Sequence, residues 1–210
     1  MEHLVIAIDG PGGSGKTTVS RALANALGVA HLDTGAFYRA VTLAALRAGI
    51  TTGPDLAALA ERIDLRYEDG HMYLDGEDVC EEIRSPPVDV FVSAVSAEPG
   101  VRRAMVERQR RWVERHGGRA VVEGRDIGTV VFPDAELKIF LVARPEVRAA
   151  RRASELEAPG VENVQVELAR RDQLDSSRAV SPLCAAEDAI RLDTSDLSVV
   201  DVVGHILTLL

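Results

Sequence analysis

The sequence predicts an α/β protein, a three-layer sandwich with a parallel sheet of five strands between helices. Three observations carry this expectation. Apolar runs alternate with amphipathic helical stretches along most of the chain. Two of those runs, residues 119–123 (RAVVE) and 137–143 (LKIFLVA), are apolar with hardly a break, as strands covered on both faces are. A glycine-rich turn joins the first apolar run to the first helical stretch.

In order, residues 4–9 read as a strand that enters the glycine turn, and the helix that follows runs through about residue 27. Residues 30–32 form a short second strand, followed by a helix over 35–47. After the two apolar strands come a last short strand at 189–192 and a closing amphipathic helix over 198–210. Strands joined by helices imply parallel pairing and helices on both faces. Two segments break the rhythm. Residues 64–79 (DLRYEDGHMYLDGEDV) alternate with period two around Asp69-Gly70, a hairpin signal foreign to a βαβ series. They lie between the second and third core strands, in a stretch that reads as an insertion. Residues 148–181 are highly charged and helical, with a bend at EAPGVEN, and make either a solvated hairpin or, in a phosphate-handling protein, a lid.

With 210 residues, 46% of them hydrophobic and 27% charged, the chain fits one soluble domain with an insertion. No apolar run reaches the roughly 18 residues of a membrane span, and no basic, then apolar leader opens the chain, so no membrane partner and no secretory signal are expected. Cys80 and Cys184 stand in no metal-type spacing and read as buried, reduced thiols, which suits a protein of the cytoplasm. The net charge of −9 argues against generic nucleic-acid binding. Of the 24 basic residues only Lys16 and Lys138 are lysines. The arginines gather at 102–115, 144–152 and 170–178. Most arginines of this kind are solvated helix faces, yet arginine is also the side chain that grips phosphate bidentately.

GPGGSGKT, residues 10–17, fits G-x-x-x-x-G-K-[ST] between a strand and a helix, the context this motif requires. Its glycines let backbone N–H groups turn inward toward phosphates, and the helix aims its positive end at the same point. Gly10, Pro11, Gly12, Gly13, Ser14, Gly15, Lys16, Thr17 and Thr18 are the expected triphosphate-binding residues, with Lys16 on the β- and γ-phosphates and the Thr17 hydroxyl on Mg²⁺. The motif does not name the reaction. A GTPase-like switch needs an N-K-x-D segment that the chain lacks, and a motor ATPase needs an apolar strand ending in Asp, for which AVVEG with Glu123 is the nearest candidate. The grouped arginines suit a second, anionic substrate, which favours a small-molecule kinase over a switch or a nucleotide sensor.

The segments IAIDGPGGSGKTTVS, LDTGAFYRAVT, VVEGRDIGTVVFPDAELKIFL and RRDQLDSSRAVSPL resemble, in order and over nearly the whole chain, the signatures of bacterial-type cytidylate kinases. The resemblance implies an adenylate-kinase-like P-loop fold. It also implies a part binding the nucleoside monophosphate at about residues 35–117, an antiparallel insert at about 63–95, and a lid at about 148–180. It implies transfer of the γ-phosphate of ATP to CMP or dCMP with Mg²⁺, by a monomer. Another acceptor, such as UMP, AMP or shikimate, is the alternative.

Carried over residue by residue, Arg39 grips the CMP phosphate and Thr34 helps position the nucleotide. Asp33 either orients Mg²⁺ through water or caps the following helix, and Tyr38 is as readily a core residue. Arg125 holds the phosphate beside Arg39. Asp126 accepts from the cytosine N4 amino group, where uracil would present an oxygen. Arg102 donates to the other cytosine edge, with Ser93 a weaker contact. Asp175 accepts from the ribose, Arg171 lies between ribose and phosphate, and Arg178 acts on the moving phosphoryl group, the catalytic set being Lys16, Arg125, Arg171 and Arg178. On a continuous helix Arg171, Asp175 and Arg178 share one face, an arrangement that a plain surface salt bridge would also produce.

Overall fold

A computed structural model of the chain describes residues 3–50, 52–155 and 160–210. They divide into two compact units, the first formed by Met1–His31 and His116–Leu210, the second by Leu32–Arg115.

The first unit is built on β1 (Leu4–Asp9), whose six residues are all buried. Then come α1 (Lys16–Leu27) and β2 (Ala30–Asp33), the strand along which the chain passes into the second unit. The second unit holds α2 (Thr34–Arg47), α3 (Pro54–Arg62), β3 (Leu65–Glu68), β4 (His71–Leu74), β5 (Glu77–Asp78), α4 (Pro86–Val95) and α5 (Pro99–Arg115). The chain then returns to the first unit with β6 (Arg119–Gly124), β7 (Leu137–Val142), α6 (Pro145–Glu155), α7 (Val161–Ser176), β8 (Ile190–Asp193) and α8 (Val199–Leu207).

The main sheet has the order β2-β6-β1-β7-β8. β1 is central: Ile6 stands opposite Val121 on one side and Leu137 on the other, both parallel. Its carboxyl end therefore opens at the middle of the sheet edge, where parallel α/β sheets hold ligands. One sheet face carries Ile6, Ile8, Val121, Ile139 and Leu141 against Val19 and Leu23 of α1 and Val202 and Ile206 of α8. Burying each such side chain contributes about 1.5–3 kcal/mol. Ser198 and Asp201 close a reciprocal capping box at the start of α8, which fixes where that helix begins.

The expected five-stranded parallel sheet is present, and the alternating segment is a three-stranded antiparallel sheet, β3-β4-β5, rather than a hairpin alone. Its core is aromatic. Tyr67 lies 6.1 Å from Phe37 and 5.9 Å from Trp112, ring centre to ring centre, and Trp112 Nε1 donates to the Tyr67 carbonyl at 2.7 Å. The Arg108 guanidinium donates to the carbonyls of Ala60, Glu61 and Ile63, capping the last turn of α3. α3 and α5 approach closely where Gly100 faces Ala57. A Cβ added at Gly100 would fall 2.4 Å from the Ala57 Cβ. The charged segment forms α6 and α7, packed against each other. Residues 157–159 of the EAPGVEN bend lie outside the described residues. Of the two cysteines expected to be buried, Cys80 is only half-buried and Cys184 is exposed.

Gly100→Ala should lower stability by about 1–3 kcal/mol in denaturant unfolding through overpacking. In the Gly100→Ala/Ala57→Gly double variant the loss should be smaller than the sum of the two single losses; strict additivity would mean the helices do not meet there.

Candidate active site

In the first unit the phosphate loop takes the curled form its glycines permit. Gly13 (φ 72°) and Gly15 (φ 87°) occupy the left-handed region, and a Cβ on Gly13 would meet the Arg148 carbonyl at 2.7 Å. Ser14 Oγ and Lys16 Nζ both donate to the Pro11 carbonyl, at 3.0 and 2.8 Å, so the loop is tied to itself. Lys16 is buried. Burial, then the charge of Arg125, lowers its ammonium pKa to about 7, against the opposing pull of Glu123 and Asp9.

Thr17 opens the second turn of contacts. Its hydroxyl donates to Glu123 Oε2 at 3.0 Å, from the first turn of α1 to the end of β6. Glu123 Oε1 is met by Ser20 Oγ and by His31 Nε2, each at 3.3 Å, and Ser20 Oγ and His31 Nε2 lie 2.9 Å apart. Asp9, at the end of β1, accepts the backbone N–H groups of Ile127 and Gly128 at 2.8 Å each. Burial raises its pKa to about 6 although both hydrogen bonds and Lys16 pull it down, and the nearby Asp126 adds to the rise. These two amides start a π-helical turn over Ile127–Val131 that no sequence signal announced. Asp126 precedes the turn, its side chain buried and its carbonyl accepting from Val130 and Val131.

Arginines reach the loop from α6 and from the residue after β6, and α7 supplies the acids that hold them. Arg125 Nη1 donates to the Gly10 carbonyl at 3.1 Å and its Nε to Asp175 at 2.9 Å. Asp175 also accepts from Arg178. Burial pushes the Asp175 carboxyl up, but Arg125, Arg178 and Arg171 outweigh it and hold the acid below the usual carboxylate range. Arg148 Nη1 donates to the Gly12 carbonyl at 3.0 Å and to Asp172, which also accepts the Gly12 N–H at 3.3 Å. Arg151 grips Thr194 through its hydroxyl and its carbonyl, at 2.9 and 2.7 Å, and the Thr194 hydroxyl reaches the Ser14 carbonyl. Arg152 pairs with Glu155, and Arg144 forms a surface pair with Asp196.

One expectation is corrected. Arg178 does not share a helix face with Arg171 and Asp175, because α7 ends at Ser176 with Ser177 as its cap. It reaches Asp175 from the chain beyond the helix, so the pairing survives while its geometric basis changes. Asp9, Asp172 and Thr194 were absent from the expected set, and Glu123 was named only as the nearest match to a motor ATPase's strand-ending acid. Asp9 and Glu123 carry the signal that was available, an acid at the carboxyl end of a buried strand, whereas nothing local marks Asp172 or Thr194.

In the second unit Asp33 caps α2, accepting from the Ala36 N–H at 3.3 Å. Thr34, the first residue of that helix, is buried. Arg39 donates to Asp89 at 2.5 Å and to the Ile83 carbonyl at 2.9 Å. Arg102 is buried, donates to the Ser96 carbonyl at 3.0 Å and lies over the Tyr38 ring at 5.2 Å, which gives Tyr38 a core position beneath a cation. Ser93 is buried on α4, and Arg103 is exposed.

The profile of the family described as Cytidylate kinase matches residues 6–210. The chain belongs to the cytidylate kinase family. A cytidylate kinase of Mycobacterium leprae (strain Br4923) is 50% identical, covering 100% of this chain and 96% of its own length. One from Mycobacterium avium (strain 104) is 52% identical over 97% of this chain and 93% of its own. Among solved structures, an uncharacterized protein from Eubacterium ventriosum ATCC 27560 is similar at a TM-score of 0.55 and 13% identity, covering 99% of this chain and 97% of that one, which bears on the fold alone. Family membership makes the chain a phosphotransferase.

Asp175→Asn should destabilise the protein by about 3 kcal/mol at neutral pH, since Arg125 and Arg178 lose their shared anion. The folded pKa of Asp175 is lowered, so this contribution is present above the unfolded carboxylate value and lost as pH falls through the folded one. The gap between the parent and the variant in denaturant unfolding should therefore close below about pH 4; a gap constant from pH 7 downward would contradict the pairing.

Proposed function

We propose that the chain transfers the γ-phosphoryl group of ATP to CMP, and also to dCMP, yielding ADP and CDP or dCDP. The observation that carries this reading is the clustering of Lys16, Arg125, Arg148 and Arg151 around the glycine loop of the first unit, with family membership behind it. Cations concentrated on a loop of inward-turned amides suit a polyphosphate. On the donor side, residues Gly10 to Thr18 hold ATP.

On the acceptor side we assign Thr34, Arg39, Ser93, Arg102, Arg125, Asp126, Arg171 and Asp175 to CMP. The reaction asks for no general base, because a CMP phosphate oxygen is already ionised. Arg125, Arg171 and Arg178 offset charge spreading over the transferred group while Lys16 holds the β- and γ-phosphates. Residues 35–117 serve the monophosphate, with residues 63–95 as their antiparallel insert. Residues 148–180 act as a lid whose closure brings arginines inward and keeps water out.

The Thr17 hydroxyl and the Glu123 carboxylate, 3.0 Å apart, form an all-oxygen pair that fits Mg²⁺. Thr17 would hold the ion with Glu123 beside it. When bound it would neutralise charge on the phosphates. The protein works as a cytoplasmic monomer. No described helix is long and apolar enough to cross a membrane.

Asp126 carries the choice of base. Its carboxylate accepts from the N4 amino group of cytosine and has no donor to meet at the O4 of uracil. Asp126→Ala should therefore erode the preference for CMP over UMP by about ten- to a hundredfold in kcat/KM, measured by a coupled ADP-release assay. An unchanged ratio would reject the assignment, and no turnover of either nucleotide by the parent protein would reject the function.

A further inference from the structure

Away from the phosphate loop, the small sheet brings together three side chains that the activity does not use. His71 begins β4, Asp78 ends β5, and Cys80 follows it by two residues. Asp78 stands directly opposite Tyr73, and His71 lies two residues before Tyr73, so the His71 and Asp78 side chains leave the same sheet face. The imidazole Nδ1 lies 2.7 Å from Asp78 Oδ2. The His71, Asp78 and Cys80 ligand atoms (one nitrogen, one oxygen, one sulfur) all fall within 4.8 Å of one another. An exposed ion pair accounts for His71 and Asp78. It leaves unexplained why the thiol is held beside them.

The backbone sets that thiol in place twice. Cys80 Sγ accepts the Met72 N–H at 3.2 Å, and the Cys80 N–H donates to Asp78 Oδ1 at 3.0 Å. An N–H donated to sulfur favours the thiolate, the form that ligates metal. One imidazole, one carboxylate and one thiolate on short strands make a donor set for a borderline-soft divalent ion. Sequence spacing hides the set, because residues 71, 78 and 80 match no metal motif and meet only through strand pairing. We propose that His71, Asp78 and Cys80 bind a divalent cation of the zinc class, with a fourth position left to solvent, and that the ion clips β4 to β5.

The proton balance is simple. The ion takes Nδ1 of His71, whose proton moves to Nε2 as the tautomer changes. It takes an oxygen of Asp78, already ionised, and Sγ of Cys80, which gives up its proton to solvent. Burial, the largest cause, and Asp78 together raise the Cys80 thiol above its ordinary value, and the Met72 N–H and Arg84 pull it down only in part. One proton is therefore released per ion bound below the thiol's titration.

The test uses cobalt(II) as a spectroscopic stand-in, added to the reduced full-length chain without oxygen. The parent protein should develop the near-ultraviolet thiolate-to-cobalt charge-transfer band, saturating at one equivalent and bleached by zinc(II). Cys80→Ser should lose the band and Cys184→Ser should keep it. His71→Ala, a change at an exposed residue, should weaken cobalt binding at least tenfold and so guards against a Cys80 variant that fails to fold. The proposal is overturned if no band forms at large cobalt excess, if Cys184→Ser removes it, or if His71→Ala binds cobalt as tightly as the parent.

Discussion

A buried ammonium ringed by guanidinium groups has to be matched by anions, and the first unit is organised around that requirement. Lys16 is taken out of water at the start of α1, which depresses its pKa to about 7, and Arg125 adds like charge beside it. Asp9 and Glu123 answer from the ends of β1 and β6, but their pull does not restore the ordinary lysine value. Net cation therefore remains where the loop amides and the α1 dipole already favour anions. A phosphate chain supplies what the protein withholds.

The acids hold the arginines rather than cancelling them. Asp172 and Asp175 sit three residues apart on α7, and each ties an arginine from another element to a loop carbonyl, Arg148 to Gly12 and Arg125 to Gly10. Guanidinium groups have several donors, so one edge can stay on a carboxylate while others reach a ligand. The same economy recurs in the second unit, where Arg39 rests on Asp89 and the Ile83 carbonyl, and Arg102 on Tyr38. Preset cations cost less to order when a nucleotide arrives than free ones would.

Much of this was legible in the sequence, for identifiable reasons. Continuous apolar runs gave β6 and β7 because parallel strands are covered on both faces, and the glycine loop sat where its strand and helix demanded. Alternation gave β3 and β4, while the two-residue β5 was too short to carry a period. The π-helical turn after Asp126 depends on two amides finding the Asp9 carboxylate, a contact between residues 118 positions apart that no local pattern encodes. Arg178 was misplaced because a helix was extended past its cap. Asp172 and Thr194 went unseen for a similar reason: they act only through the loop carbonyls and amide that the fold delivers to them.

The most direct measurement is the titration of Lys16 itself. The chain has two lysines, so selectively labelled Lys16 can be followed by NMR with Lys138→Arg assigning the other signal. In the free protein its ammonium should titrate near 7, and saturation with a non-hydrolysable ATP analogue should move it up toward the ordinary lysine range. A free-protein value near 10.5, or one that nucleotide leaves unmoved, would contradict an anion-seeking loop built around a desolvated cation.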